Sequence, residues 1–125
     1  MKKDIESRED ITRLMETFYD RLLADPTISY LFTDVAMIDM PAHIPIIVDF
    51  WESVLFQADT YHKNAMRPHM VLHGKSALTK THFDTWLAHF RGTVEDMFAG
   101  EKAFQAIERA NSIATLMQIK IKQLG

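Results

Sequence analysis

The chain has 125 residues, 47% of them hydrophobic and 25% charged, with a formal net charge of −3. That length suits one domain around one core. The composition is too apolar for disorder, and apolar runs such as residues 44–48 fall far short of the ~20 residues a bilayer crossing needs. With no cysteine there is no disulfide, thiolate metal site, cysteine nucleophile or covalent cofactor attachment through Cys-x-x-Cys-His, and the dispersed Lys and Arg leave no footprint for nucleic acid or an anionic membrane surface.

The first six residues put no apolar segment behind Lys2 and Lys3, so they do not read as a secretory signal, and a cytoplasmic protein is expected. Ile11, Leu14, Met15, Phe18, Tyr19 and Leu22 recur at spacings of three and four, the mark of one buried helix face. Ser7 or Asp10 caps this helix, and Asp25-Pro26 stops it, because proline disfavours helix in the residue before it. Residues 27–32 read as a tight turn or two and residues 34–40 as a loop. A second helix over residues 42–56 has Ile44, Val48, Trp51 and Leu55 on its core side. The adjoining stripe His43, Ile47, Phe50 and Val54 turns His43 inwards. Proline is tolerated in a first turn, so Pro45 predicts regular helix from about His43, with movement at that end. Residues 57–64 are polar and irregular, and residues 66–72 form a short helix closed by Gly74. Thr79 caps a long helix with Phe83, Trp86, Leu87, Phe90, Val94, Met97 and Phe98 on one face, ended by Gly100. Gly92 inside it, disfavoured by ~1 kcal/mol against alanine, predicts a close helix crossing. A last helix, residues 102–123, carries Ala103, Ile107, Ala110, Ala114, Met117 and Ile121. There is no strand pattern and no repeat, so the fold expected is all-α with four main helices.

The stretch from Met66 to Trp86 holds three of the six histidines. His69 follows Pro68 on the short helix among apolar residues, as either a core histidine with a satisfied hydrogen bond or a metal ligand. With His73 it forms an i, i+4 pair able to grip zinc. A zincin site also needs a glutamate after the first histidine, and that position is Met70. A di-iron bundle needs Glu-x-x-His pairs, and nothing nearer than Asp59-x-x-His62 exists. One histidine facing an apolar slot is what a single axial bond to haem iron requires. Tyr19, His43 and Trp86 add polar tips from three other helices. Each alone is an ordinary core or boundary residue, whereas their convergence on an apolar interior is the make-up of a ligand pocket. There is no nucleophile elbow, phosphate-binding loop or close carboxylate pair. The methionines read as core filler, although Met66 and Met70 flank His69 closely enough to touch a cofactor.

The ordered series Phe18-Tyr19, His43-Ile-Pro, Phe50-Trp51, Tyr61, Asn64-Ala-Met, His69-x-x-Leu72, His82-Phe83-x-x-Trp86-Leu87 and Glu108-Arg109-Ala110 resembles the group III truncated haemoglobins over nearly the whole chain. The resemblance implies a single truncated-globin domain, residues 1–125, with a shortened globin fold of two helices stacked over two and a non-covalent haem b. It implies His69 as proximal iron ligand and Tyr19, His43 and Trp86 lining the distal side where O2, NO or CO binds. Phe32, Ile47 and Phe50 are then distal walls, and Met66, Met70 and Leu72 proximal ones. His73, one turn beyond His69, departs from the pattern, but Pro68 and Leu72 favour His69. Tyr19 and Trp86 are expected to donate hydrogen bonds to the gas, and His43 to gate the pocket or act as a sixth ligand. Strong polar holding of oxygen points to redox or detoxification chemistry, on nitric oxide or peroxide, rather than bulk oxygen delivery. An external electron donor is then needed. The alternative is a haem-free helical interaction domain whose histidines are structural.

Overall fold

α1 spans Arg8–Leu23 and begins as its capping residue dictates: Ser7 Oγ accepts the Asp10 N–H at 3.3 Å, and acidic Glu9 and Asp10 sit in the first turn, where the helix dipole favours negative charge. The structure, a computed structural model, describes residues 2–58 and 66–123. Asp10 is buried yet satisfied, accepting from Lys3 Nζ at 2.7 Å, from the Glu6 N–H at 2.9 Å and from Arg13. Burial pushes its carboxyl up, but these donors prevail and hold it at about 2.

The N-terminal segment also starts the last helix. Asp4 accepts the backbone N–H groups of Lys102 and Ala103, each at 2.8 Å, and so caps α5 (Glu101–Gln123) from the far end of the sequence. The Ala99 N–H donates to the Lys3 carbonyl at 2.9 Å alongside. Gly100 makes this approach possible: its φ is +142°, and a Cβ there would stand 2.5 Å from Asp4 Cγ.

After α1 the chain differs from the loop expected over residues 34–40. Leu31–Val35 forms a π-helical turn, and α2 already begins at Met40, running Met40–Phe56. The Ala42 and His43 N–H groups both donate to the Asp39 carbonyl, so regular helix starts before His43. Pro41, not Pro45, occupies the first turn, where its missing N–H goes unnoticed. Pro45 lies inside the helix and removes one bond close to its N-terminus. α3, Met66–Lys75, runs through Gly74 rather than closing on it. Its exit is held by the Ser76 N–H on the Leu72 carbonyl, 2.9 Å, and by His73 Nδ1 accepting the Leu78 N–H, 3.0 Å. With those bonds made, no left-handed glycine is needed. α4, Lys80–Met97, starts at Thr79 in a reciprocal capping box with His82. Gly92 marks no close crossing, since a Cβ there would meet nothing within 4 Å.

α1 packs on α2 and on α4, α4 on α5, α2 on α5, and α3 on α5. The pairs α1/α2 and α4/α5 therefore form the two-over-two helical sandwich that the resemblance implied. Where α5 meets the core it presents Ala103, Ala106 and Ala110, small side chains that admit neighbouring helices closely. The apolar interior has two parts. The larger joins α1, α2, α4 and the first half of α5; the smaller is Phe83, Ala114 and Met117, with Met66, Leu78, Leu87, Ile113 and Ile121 packed against it. Among the described residues there is no strand, and no helix is long and apolar enough to cross a membrane.

Candidate functional site

Two of the predicted site residues meet directly. Tyr19 faces inwards from α1 because it continues the buried stripe through Met15 and Leu22, and His43 reaches it from the first turns of α2. Tyr19 Oη and His43 Nε2 are 3.0 Å apart. The Tyr19 ring is held edge-on between Phe18 and Phe32, with centroids at 5.2 and 5.8 Å. Burial pushes the Tyr19 hydroxyl well above its ordinary pKa, so it keeps its proton. Burial, and then the nearby charge of His69, hold His43 below its ordinary value, so its imidazole is neutral at neutral pH. A neutral imidazole has one donor and one acceptor nitrogen. If Nε2–H donates to Tyr19 Oη, the phenolic proton is free to point at a third group. In the other tautomer Nε2 receives it.

His69 also contributes to lowering the His43 pKa, so the two imidazoles lie within electrostatic reach of each other. His69, Met66, Met70 and Leu72 are all half-buried, and no residue of α3 is fully buried. A short helix whose Met66, Met70 and Leu72 are only half-buried among the described residues suits a flat apolar partner larger than a side chain. His73 accepts the Leu78 N–H through Nδ1, so in its neutral form Nε2 carries the proton and is not a metal donor. Among the described residues no group of three or more His, Asp or Glu could hold a metal ion. A lone imidazole such as that of His69 is the donor that haem iron would need from the protein.

Trp86 comes from α4, half-buried, stacked on Phe90 at 5.4 Å and 14° and edge-on to Phe18 at 5.6 Å. That sandwich fixes the plane of its indole. Phe32, Ile47 and Phe50 are half-buried against the larger core cluster, on the Tyr19–His43 side, while Met66 leans on the smaller cluster, on the His69 side. This arrangement and a one-imidazole donor set fit a haem. Tyr61, Asn64 and the Asp59-x-x-His62 pair lie outside the described residues. A groove of about 250 Å³ between α4 and α5, lined by Leu87, Phe90, Ile107 and Ala110 among others, includes none of Tyr19, His43, His69 or Trp86.

Sequence reasoning assigned no role to two further histidine pairs. His82 Nδ1 accepts the Thr79 N–H at 3.1 Å, which makes its Nε2–H the donor to Tyr30 Oη, 2.8 Å away. The spacing of His82 and Trp86, four residues on one helix face, was the available signal. His89 Nε2 meets Asp25 Oδ2 at 2.7 Å, a contact that chiefly lowers the Asp25 pKa and ties the end of α1 to α4. Nothing in the local pattern announces it.

The sequence profile of the bacterial-like globin family matches residues 3–119. The chain is similar to the group 3 truncated hemoglobin ctb of Campylobacter jejuni subsp. jejuni, 23% identical over 128 residues that cover 100% of this chain and 98% of that protein. Its structure is similar to the crystal structure of group III truncated hemoglobin from Campylobacter jejuni, with a TM-score of 0.84, 23% identity and coverage of 100% and 98% of the two chains. The shared fold accounts for the two-over-two sandwich. The profile match spans nearly the whole chain, and so the protein belongs to the bacterial-like globin family, with the general globin property of binding haem and a diatomic gas.

Proposed function

We propose that the protein carries a haem b whose iron takes His69 as its proximal ligand, and that it holds O2, NO or CO on the side lined by Tyr19, His43 and Trp86. Phe32, Ile47 and Phe50 wall that side, and Met66, Met70 and Leu72 wall the other. The observation that carries this reading is the Tyr19–His43 pair, 3.0 Å apart, within electrostatic reach of His69. When bound, the haem would supply an iron to which the His69 imidazole and a diatomic gas could both bind.

The residues around it do the discriminating. Tyr19 stays protonated because it is buried, and it offers its O–H to the gas whenever His43 Nε2–H donates to the phenol oxygen. Trp86 can only donate, and its stacking on Phe90 aims that donor without further loss of freedom. Two fixed donors hold a polarised diatomic ligand more strongly than an unpolarised one, so they favour O2 over CO and slow its release. Slow release suits redox or detoxification chemistry on nitric oxide or peroxide, fed by an external reductase, better than oxygen delivery. His43, in the first turns of α2, gates the pocket or acts as a sixth ligand. A cytoplasmic setting, with its reductants, agrees with this use.

Titration with hemin tests the reading. A stoichiometric Soret band that forms with the wild type and is lost in His69→Ala, while far-UV circular dichroism of the apo variant is unchanged, is the expected result. A wild-type protein that takes up no hemin would favour the haem-free interaction domain, and a band that survives in His69→Ala would move the ligand elsewhere.

A further inference from the structure

We infer that the outer face of α5 is a self-association surface, on which a second copy of this chain packs its own α5 antiparallel about a two-fold axis. α5 buries Ala103, Ala106, Ala110, Ala114 and Met117 and turns the opposite side outwards. That side holds three of the five large hydrophobic residues exposed among the described ones: Phe104 at 63%, Leu116 at 49% and Ile119 at 50%. Apolar residues scattered singly on a surface need no explanation, but these lie along one helix face. A shallow groove lined by Glu108, Ser112, Thr115, Leu116 and Ile119 among others runs along the same face.

The charges on this face select the occupant. Glu101 stands at its N-terminal end and Lys122 at its C-terminal end. Antiparallel packing centred between Asn111 and Ser112 sets Glu101 opposite Lys122 of the second copy and Phe104 opposite Ile119. It also sets Glu108 opposite the Thr115 hydroxyl. Each pairing occurs twice, as two-fold symmetry requires. At the crossing point Asn111 and Ser112 are short enough for close approach. A parallel arrangement would put Glu101 against Glu101 and align the helix dipoles, so charge rejects it. The inner side of the same helix supports Met66 of α3 through Ala114 and Met117, which sets the contact behind the histidine helix.

One face of a 23-residue helix is about 34 Å long. Such a strip falls below the ~800 Å² per partner of a standard interface, so the dimer is weak and concentration-dependent. Sedimentation velocity on the full-length, hemin-loaded protein between ~10 µM and ~1 mM tests this. The expected result is a sedimentation coefficient that rises with concentration in the wild type and stays monomeric in Ile119→Lys. Glu101→Lys should weaken association about tenfold, and Glu101→Lys with Lys122→Glu should restore it. These positions are exposed or lie at the helix end, and unchanged helicity of each variant excludes misfolding. A protein that is monomeric throughout overturns the inference, including one that binds a lipid vesicle or another macromolecule with this face instead. So does a dimer that neither Ile119→Lys nor the charge exchange alters.

Discussion

Tyr19→Phe separates the structural and the ligand-holding roles of the inward hydroxyl. The substitution removes one oxygen and leaves the ring, whose edge contacts with Phe18 and Phe32 at 5.2 and 5.8 Å need no hydroxyl. What is lost from the folded protein is the 3.0 Å contact to His43 Nε2. A single neutral hydrogen bond contributes about 1 kcal/mol, and half-buried His43 can regain part of it from water, so the apo protein should lose at most about 1 kcal/mol in urea unfolding. The ligand-side effect is larger. A donor withdrawn from a polarised gas in a water-poor site costs ~1 to 3 kcal/mol, a rise of roughly 5- to 150-fold in the O2 off-rate. Stopped-flow displacement of O2 by CO from the ferrous protein measures that rate. His43→Leu and the double variant complete a cycle, in which a coupling of about 1 kcal/mol in apo stability is expected for groups in direct contact. An O2 off-rate unchanged in Tyr19→Phe, together with the predicted loss of apo stability, would reduce the tyrosine to a structural partner of His43 and refute the donor role.

Three further outcomes follow from the contacts. His73→Ala should leave the hemin spectrum intact and lower stability by about 1 kcal/mol, since its Nδ1 closes the turn to Leu78 and a single hydrogen bond is at stake; a lost Soret band would make His73 the ligand. Asp4→Ala strips two N-terminal N–H groups of α5 of their acceptor and should cost about 1 to 2 kcal/mol, the usual range for a lost cap, read from the urea midpoint. Asp10, held at about 2, has a folded pKa below its unfolded one, so its contribution is complete above about pH 4 and is lost as pH falls through 2. With Lys3 and Arg13 both more than half exposed, screening leaves this at about 1 kcal/mol. Asp10→Asn should flatten the fall in urea midpoint between pH 4 and 2, and an unchanged slope would show that other carboxylates carry it.

The helices were legible because burial writes a period into them. Every apolar residue of the stripe from Ile11 to Leu22 is in fact buried, and Ser7 and Thr79 cap where short polar side chains before an apolar run should. The errors fell where two local rules compete. Pro41 and Pro45 each qualify for a first turn, and only the hydrogen bonds to Asp39 decide between them. Gly74 and Gly92 carry no mark distinguishing a cap or crossing from ordinary helix. Gly100 does, but its requirement comes from Asp4, almost a hundred residues away.

For the site, the sequence by itself determined the inventory: one histidine on a short apolar helix, and a tyrosine, a histidine and a tryptophan on the inner faces of three others. Helical periodicity fixes which way each points but not what it meets. Only the tertiary structure decided that Tyr19 pairs with His43, that His73 is taken up by Leu78, and that Trp86 meets Phe18 of α1. These are contacts between helices or beyond a helix end, where crossing angle and loop path set the partner, and no local pattern encodes either.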